Sequence, residues 1–349
     1  MRDMLKVLAI SLIGGYMFSL LHIPIPWMLG PIFSILIAQF LYKGTLLWSP
    51  KLRDFGLVIV GIAIGEQFNL ALFRGIGILL LYMLLLNVIL IACSVVLALG
   101  LSKWSKLPLK SMVLGTIPGG LGQIVVFAEE EKDVDLAAVT YFHIVRLLLV
   151  VVFIPFIVSG HIISKPPVDV PLTFGLAGLI LTAWGCSYMA KRLKMPIAYF
   201  LTPILLIIGL QLTSFDLAPL PSPVMNGAQL LIGAHIGLLL KPHMIKLPYR
   251  YLLAGIMSAV GLIFLTYGTS FIVSSFLGYS FATSFLSTAP GGLDQMVLLA
   301  DAVGADVSVI SVFQVFRLLF IFLLVMPALR FYYQIAAKKQ VLERKRGIV

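Results

Sequence analysis

Apolar residues run in long blocks from end to end of this chain, and Pro, Gly or short charged clusters separate the blocks. None of them alternates with the two-residue period of a half-buried strand, and most are too long for one. Ten read as helical spans, near residues 5–21, 26–42, 55–72, 75–101, 137–159, 172–190, 197–213, 225–240, 249–277 and 307–333. Several are short against the ~20 residues needed to cross a bilayer core. Two further apolar segments, 111–129 and 281–300, carry Pro-Gly-Gly at their centres. Proline lacks a backbone donor and clashes with the preceding turn, and paired glycines weaken a helix further. Each of these segments is therefore predicted to break.

The pattern repeats. IPGGLGQ around Pro118 matches APGGLDQ around Pro290, 172 residues later. The same offset aligns Pro24 with Pro196, Pro31 with Pro203, Gly61 with Gly233 and Gly65 with Gly237. At an offset of 171, FHIVRLL matches FQVFRLL, so Arg146 pairs with Arg317. A fixed offset over this much chain indicates duplication. The expected division is a first membrane repeat at 1–160, a linker at 161–171, a second repeat at 172–333 and a basic cytoplasmic tail at 334–349.

Charge decides how the halves sit. The chain is 60% hydrophobic and only 11% charged, where soluble domains carry about a quarter charged residues. Its net charge of +11 lies in short loops and the tail, with no basic face, so it reads as loop asymmetry and not as a nucleic-acid surface. In the first half the loops holding Lys43, Lys51 and Arg53, and Lys103, Lys106 and Lys110, are basic, while their partners around Asp216 and Gly278 have no Lys or Arg. In the second half the basic loops are those of Lys191, Arg192 and Lys194, and of Lys241, Lys246 and Arg250. The matching loops of the first half hold only His22 and Arg74. The pattern changes sides, which fits inverted repeats of five crossings plus one segment that enters and returns. The expected fold is an all-α polytopic membrane protein of two inverted repeats, each with about five transmembrane helices and one Pro-Gly-Gly re-entrant or broken segment. The inner (plasma) membrane, with both termini cytoplasmic, is the expected location.

Candidate chemistry follows from what is costly in a bilayer. Non-helical backbone at depth needs protein packing or a wet cavity, and a Pro-Gly-Gly vertex offers N–H groups to an anion. Pro118, Gly119, Gly120 and Gln123, with Pro290, Gly291, Gly292 and Gln295, form the two candidate vertices. The bland alternative is that the glycines only permit close helix packing. Arg146 and Arg317 are intramembrane charges suited to bidentate capture of a carboxylate. The alternatives are ion pairs with Asp294 or Glu66, or snorkelling. His143 and Gln314 precede the two arginines by three residues, on the same helix face. Asp294 replaces Gly122 and is a candidate ligand for a coupling proton or sodium ion. Glu66, whose counterpart is Leu238, is a lesser one. The acidic run from Glu129 reads as a solvated loop with charges at a helix entry. Cys93 and Cys186 read as small core residues. Nucleotide-binding, metalloprotease and serine-hydrolase motifs are lacking, so no enzyme, metal or cofactor is expected.

The two IPxx[WY] segments, the short GxxIG span, the PGG-x-x-Q loops and the R-L-L helix resemble the bacterial membrane AbrB family over almost the whole chain. The resemblance implies a duplicated membrane domain, and some members are described as regulators of gene expression. The family also carries the label ammonia monooxygenase, a chemistry that would require a copper-ligand cluster. More distantly, the plan is similar to inverted-repeat carriers for hydroxycarboxylates and glutamate. These imply a role for Gly119, Gly120, Gly291 and Gly292 at re-entrant tips, a carboxylate contact for Arg317, and a homodimer. The expected function is therefore a secondary transporter or exporter of a small anionic organic solute. The alternative is a membrane sensor or regulator without transport.

Overall fold

The computed structural model describes residues 2–42, 44–68, 76–131, 133–158, 174–195, 197–213, 220–333 and 335. The linker at 161–171 and the tail beyond Ile335 lie outside the described residues, and so does the side chain of Gln123. Among the described residues every regular element is helical. The first half runs α1 (Arg2–Leu20), α2 (Pro26–Leu41), α3 (Pro50–Glu66), α4 (Ile76–Ser105), α5 (Leu109–Thr116), α6 (Leu121–Glu130) and α7 (Leu136–Val158). The second half runs α8 (Phe174–Arg192), α9 (Ala198–Leu212), α10 (Ser222–Gly237), α11 (Tyr249–Leu277), α12 (Phe281–Thr288), α13 (Leu293–Val303) and α14 (Val307–Phe320). A π turn at Ile321–Val325 carries α14 onward to Tyr333. Among the described residues six helices are long and apolar enough to cross a membrane.

All ten expected spans are helices. The third begins earlier than its apolar block, at Pro50 instead of residue 55, because proline is pre-organised for the first helical position. It also ends earlier, at Glu66 instead of residue 72. Both Pro-Gly-Gly segments are broken, with α5 and α12 eight residues long on either side of the repeat.

The duplication reaches backbone detail. Residues with φ in the left-handed region fall into four pairs: His22 with Lys194, Ile25 with Ile197, Lys106 with Gly278, and Asp133 with Gly304. The first three pairs are 172 residues apart and the last 171, so one residue is lost between the vertex and the helix that follows. An isoleucine at positive φ is disfavoured by its branched Cβ, yet it recurs at the entry to α2 and α9.

Two helix groups result. α1, α2, α3, α8, α9 and α10 pack among themselves, with the halves exchanged: α2 lies on α10 and α3 on α9. The glycines of the repeat permit this. A Cβ on Gly61 would stand 2.7 Å from the Phe200 carbonyl oxygen, and one on Gly233 would stand 2.5 Å from that of Met28. These positions are themselves repeat partners, so each half clamps the other through the same contact. α3 is buried on every face from Gly56 to Gly65. The other group comprises α4 to α7 and α11 to α14. Among the described residues the main bridge between the groups is α13 on α3, and the equivalent pairing of α6 with α10 is at most marginal. Cys93 and Cys186 are half-buried, not core residues as expected, because they face outward from α4 and α8.

Candidate functional site

Each broken segment is a hairpin whose two ends are tied together. The backbone N–H of Asp135, just past α6, donates to Ser111 Oγ at the start of α5, at 2.8 Å. The N–H of Asp306, just past α13, donates to Thr283 Oγ1 at the start of α12, at 3.0 Å. Asp135 then accepts from Ala138 N–H, and Asp306 from those of Ser308 and Val309, so the carboxylate that closes each hairpin also caps the next helix. In the acidic run, Glu130 pairs with Arg330, and Lys110 stands 3.9 Å from Glu131.

At the tips, both arginines are buried, with 5% and 6% of their surface exposed. Neither makes an ion pair with Asp294 or Glu66. The Arg146 guanidinium donates from Nη1 to the carbonyls of Thr116 (3.3 Å) and Ile117 (3.0 Å), and from Nη2 to that of Gly119 (3.3 Å). Arg317 donates from Nη1 to Thr288 (3.2 Å) and Ala289 (2.6 Å), and from Nη2 to Gly291 (3.2 Å). These oxygens end α5 and α12, where the helix leaves carbonyls without partners and the dipole is negative. Each charge is thus offset by a helix C-terminus, and the fork holds the Pro-Gly-Gly turn in shape.

His143 and Gln314 serve the arginines in the same way. His143 Nε2 hydrogen-bonds the Leu114 carbonyl at 2.9 Å, and its Nδ1 meets Arg146 Nη2 at 2.8 Å. A neutral imidazole protonated on Nε2 satisfies both contacts. Gln314 Nε2 donates to the Leu286 carbonyl at 2.8 Å, and its Oε1 accepts from Arg317 Nη2. One donor and one acceptor at fixed separation are required, and either side chain supplies them.

The two tips line one cavity of roughly 790 Å³. It brings together Pro118, Gly119 and Gly120, Pro290, Gly291 and Gly292, and the side chains of His143, Arg146, Asp294, Gln295, Gln314 and Arg317. Glu66 is not on this surface. It ends α3 on the far side, where Gln211 Nε2 donates to its carbonyl at 2.9 Å.

Sequence reasoning missed the cavity's other polar wall, which Arg53, Asp54, Lys191, Tyr199 and His235 supply. Asp54 lies 3.7 Å from Arg53 Nη1 and 3.9 Å from Lys191 Nζ, and Lys191 also sits over the Tyr199 ring. These cations read as loop charges in the sequence. A carboxylate beside them at the start of a ten-residue buried run was the available signal. Four cationic side chains against two carboxylates give the cavity a positive balance, which favours an anionic occupant.

α3 is also tied to the second hairpin and to the helix that follows it. Gln67 Nε2 donates to Asp301 Oδ1 at 2.9 Å, and Ser308 Oγ to the Gln67 carbonyl at 3.4 Å. Two curated proteins resemble this chain along nearly its whole length. An uncharacterised protein named YhjN from Bacillus subtilis (strain 168) is 30% identical, covering 95% of this chain and 94% of its own. A protein named "Putative regulator AbrB" from Escherichia coli (strain K12) is 26% identical, covering 93% and 94%. The family model described as "Transition state regulatory protein AbrB" matches residues 27–333. With its duplicated helices and paired Pro-Gly-Gly hairpins, this chain belongs to the AbrB family.

Proposed function

We propose that this protein is a secondary carrier for a small anionic organic solute, with its two halves inverted in the bilayer of the plasma membrane. The observation that carries the proposal is the meeting of two tied hairpin tips in one positively balanced cavity. α5 and α12 each rise about 12 Å, less than half of a ~30 Å hydrocarbon core. A hairpin entering from either face would therefore stop near the midplane, where inverted-repeat carriers bind. The swap of basic loops between halves supports opposite orientation. In that arrangement Arg53, Lys191 and Leu239 lie at the cytoplasmic end of the cavity, and the Gln67–Asp301 contact seals the outer end. The conformation is then inward-facing. Exchanging the roles of the halves, with α6 on α10 and α13 freed from α3, gives the outward-facing counterpart. The arginines act on the solute through their field and by shaping the tips, since their forks are already engaged. A proton or sodium ion near Asp294 is the coupling candidate.

The name of the Escherichia coli relative favours a second reading, a membrane regulator that binds its ligand without moving it. Counterflow in proteoliposomes separates the two. Purified protein is reconstituted with an excess of unlabelled organic acid inside, and entry of the labelled acid is followed. Transient accumulation above the protein-free control supports a carrier. Saturable binding with no accumulation for any acid tested overturns it in favour of the regulator.

A further inference from the structure

The two tips share a backbone but not a chemistry, and the difference says which way a ligand lies. The first turn of α6 reads Leu121-Gly122-Gln123, and that of α13 reads Leu293-Asp294-Gln295. A helix N-terminus carries unpaired N–H groups and a positive dipole end. At α6, ten residues long, the N-cap Gly120 has no side chain to cap those groups, and Gly122, where α13 carries Asp294, supplies no carboxylate. At α13 the same place is filled from within: the Asp294 carboxylate lies against the N–H groups of Asp294 and Gln295 and accepts from Gln295 Nε2 at 2.9 Å. The second tip already holds its anion.

A further observation points to a ligand. Gln295 is 4% exposed, lines the cavity and has an Oε1 atom with no hydrogen-bond partner. A buried acceptor left without a donor is costly. Gly292 makes room for that oxygen, because a Cβ there would collide with it.

We propose that the ligand is a small carboxylate that also carries a hydrogen-bond donor, a hydroxyl or an ammonium group. Its negative end sits at the open N-terminus of α6, and its donor meets Gln295 Oε1 beside Asp294. Asp294 and Gln295 are then the specificity-determining pair, and the site takes one anion instead of two. This inference rests on the anion-carrier reading above and adds the polarity of the solute.

Matched acids that differ in one substituent test it. Thermal stabilisation of the full-length purified protein is titrated with propionate, lactate and alanine, and with succinate, malate and aspartate. The donor-bearing members of one set should half-saturate at a concentration at least about tenfold lower than the unsubstituted acid, since an acceptor built for a donor rejects an analogue lacking it. The hydroxyl and ammonium arms identify which donor it is. Gln295→Leu should abolish the preference. Asp294→Gly makes the second tip like the first and should shift preference toward succinate. Equal or tighter binding of propionate and succinate by the wild-type protein would overturn this inference and leave the anion carrier standing. Absence of any response to all six acids would overturn both.

Discussion

The first and second hairpins are two solutions to one structural problem. Both must hold a Pro-Gly-Gly turn whose helix-end carbonyls need donors, and both do it with a buried arginine three residues after a polar side chain. Where the requirement is for donors and acceptors at fixed spacing, the halves agree to within the choice of His143 or Gln314. Where the requirement is for ligand chemistry, they part: Gly122 against Asp294 at the tips. The mouth is uneven too, with α13 docked on α3 and α6 held away from α10. Shared features therefore report on folding, and unshared ones on function.

The largest effect should come from the arginines. Arg146→Leu and Arg317→Leu each strand three carbonyls at a helix end, and each should destabilise the protein by about 3–5 kcal/mol. Thermal unfolding in detergent reads this. Equal losses support equivalence of the hairpins, and a loss confined to one breaks it. Arg→Lys should not rescue either, because an ammonium cannot reproduce the planar fork.

Close helix approach comes next. Gly61→Ala and Gly233→Ala each drive a methyl into a backbone oxygen of the opposite half, and should cost about 1–3 kcal/mol by the same measurement. Gly178→Ala and Gly209→Ala, where a Cβ meets nothing, are the controls and should be neutral.

The His143–Gln314 exchange is a finer probe. His143→Gln should stay within about 1 kcal/mol of the parent, because Gln does this work at 314, whereas His143→Leu should lose about 1–3 kcal/mol through an unsatisfied Leu114 carbonyl. Comparable losses for both would give His143 a role beyond holding Arg146.

Among the smallest effects, Asp306→Ala should cost slightly more than Asp135→Ala, each about 1 kcal/mol, since Asp306 accepts from two helix N–H groups and Asp135 from one. Gln67→Leu removes one contact between α3 and α13 and should alter stability little. It should raise labelling of a cysteine placed at Ala302, beside that contact, if the contact seals the outer end.

Much of this was legible in the sequence for a physical reason. Apolar blocks, their breakers and a fixed repeat offset are one-dimensional signals, so ten helices and two breaks could be placed before any coordinates. Arg146 and Arg317 stood out because charge in an apolar block is rare. Their partners did not, because backbone carbonyls carry no residue identity, and an ion pair with Asp294 or Glu66, the alternative to ligand capture, was the nearest structural reading that residue types allowed. Arg53 and Lys191 read as loop charge and Asp54 drew no notice, because sequence position near a helix end does not say whether that end faces solvent or a cavity. Glu66 stood as a lesser candidate beside Asp294 only because both are isolated carboxylates.

Opposite orientation of the halves would bring the two tips toward each other from both faces of a bilayer, and single-cysteine labelling tests it most directly. Lys103 and Ser275 are repeat partners, 172 residues apart, on exposed last turns of α4 and α11. In a background carrying Cys93→Ser and Cys186→Ser, Lys103→Cys and Ser275→Cys are each treated with a membrane-impermeant maleimide in intact and in permeabilised cells. Inverted halves predict labelling at 275 in intact cells and at 103 only after permeabilisation. Labelling of both positions under the same condition would contradict the inversion, and with it the meeting of the two tips as the site of transport.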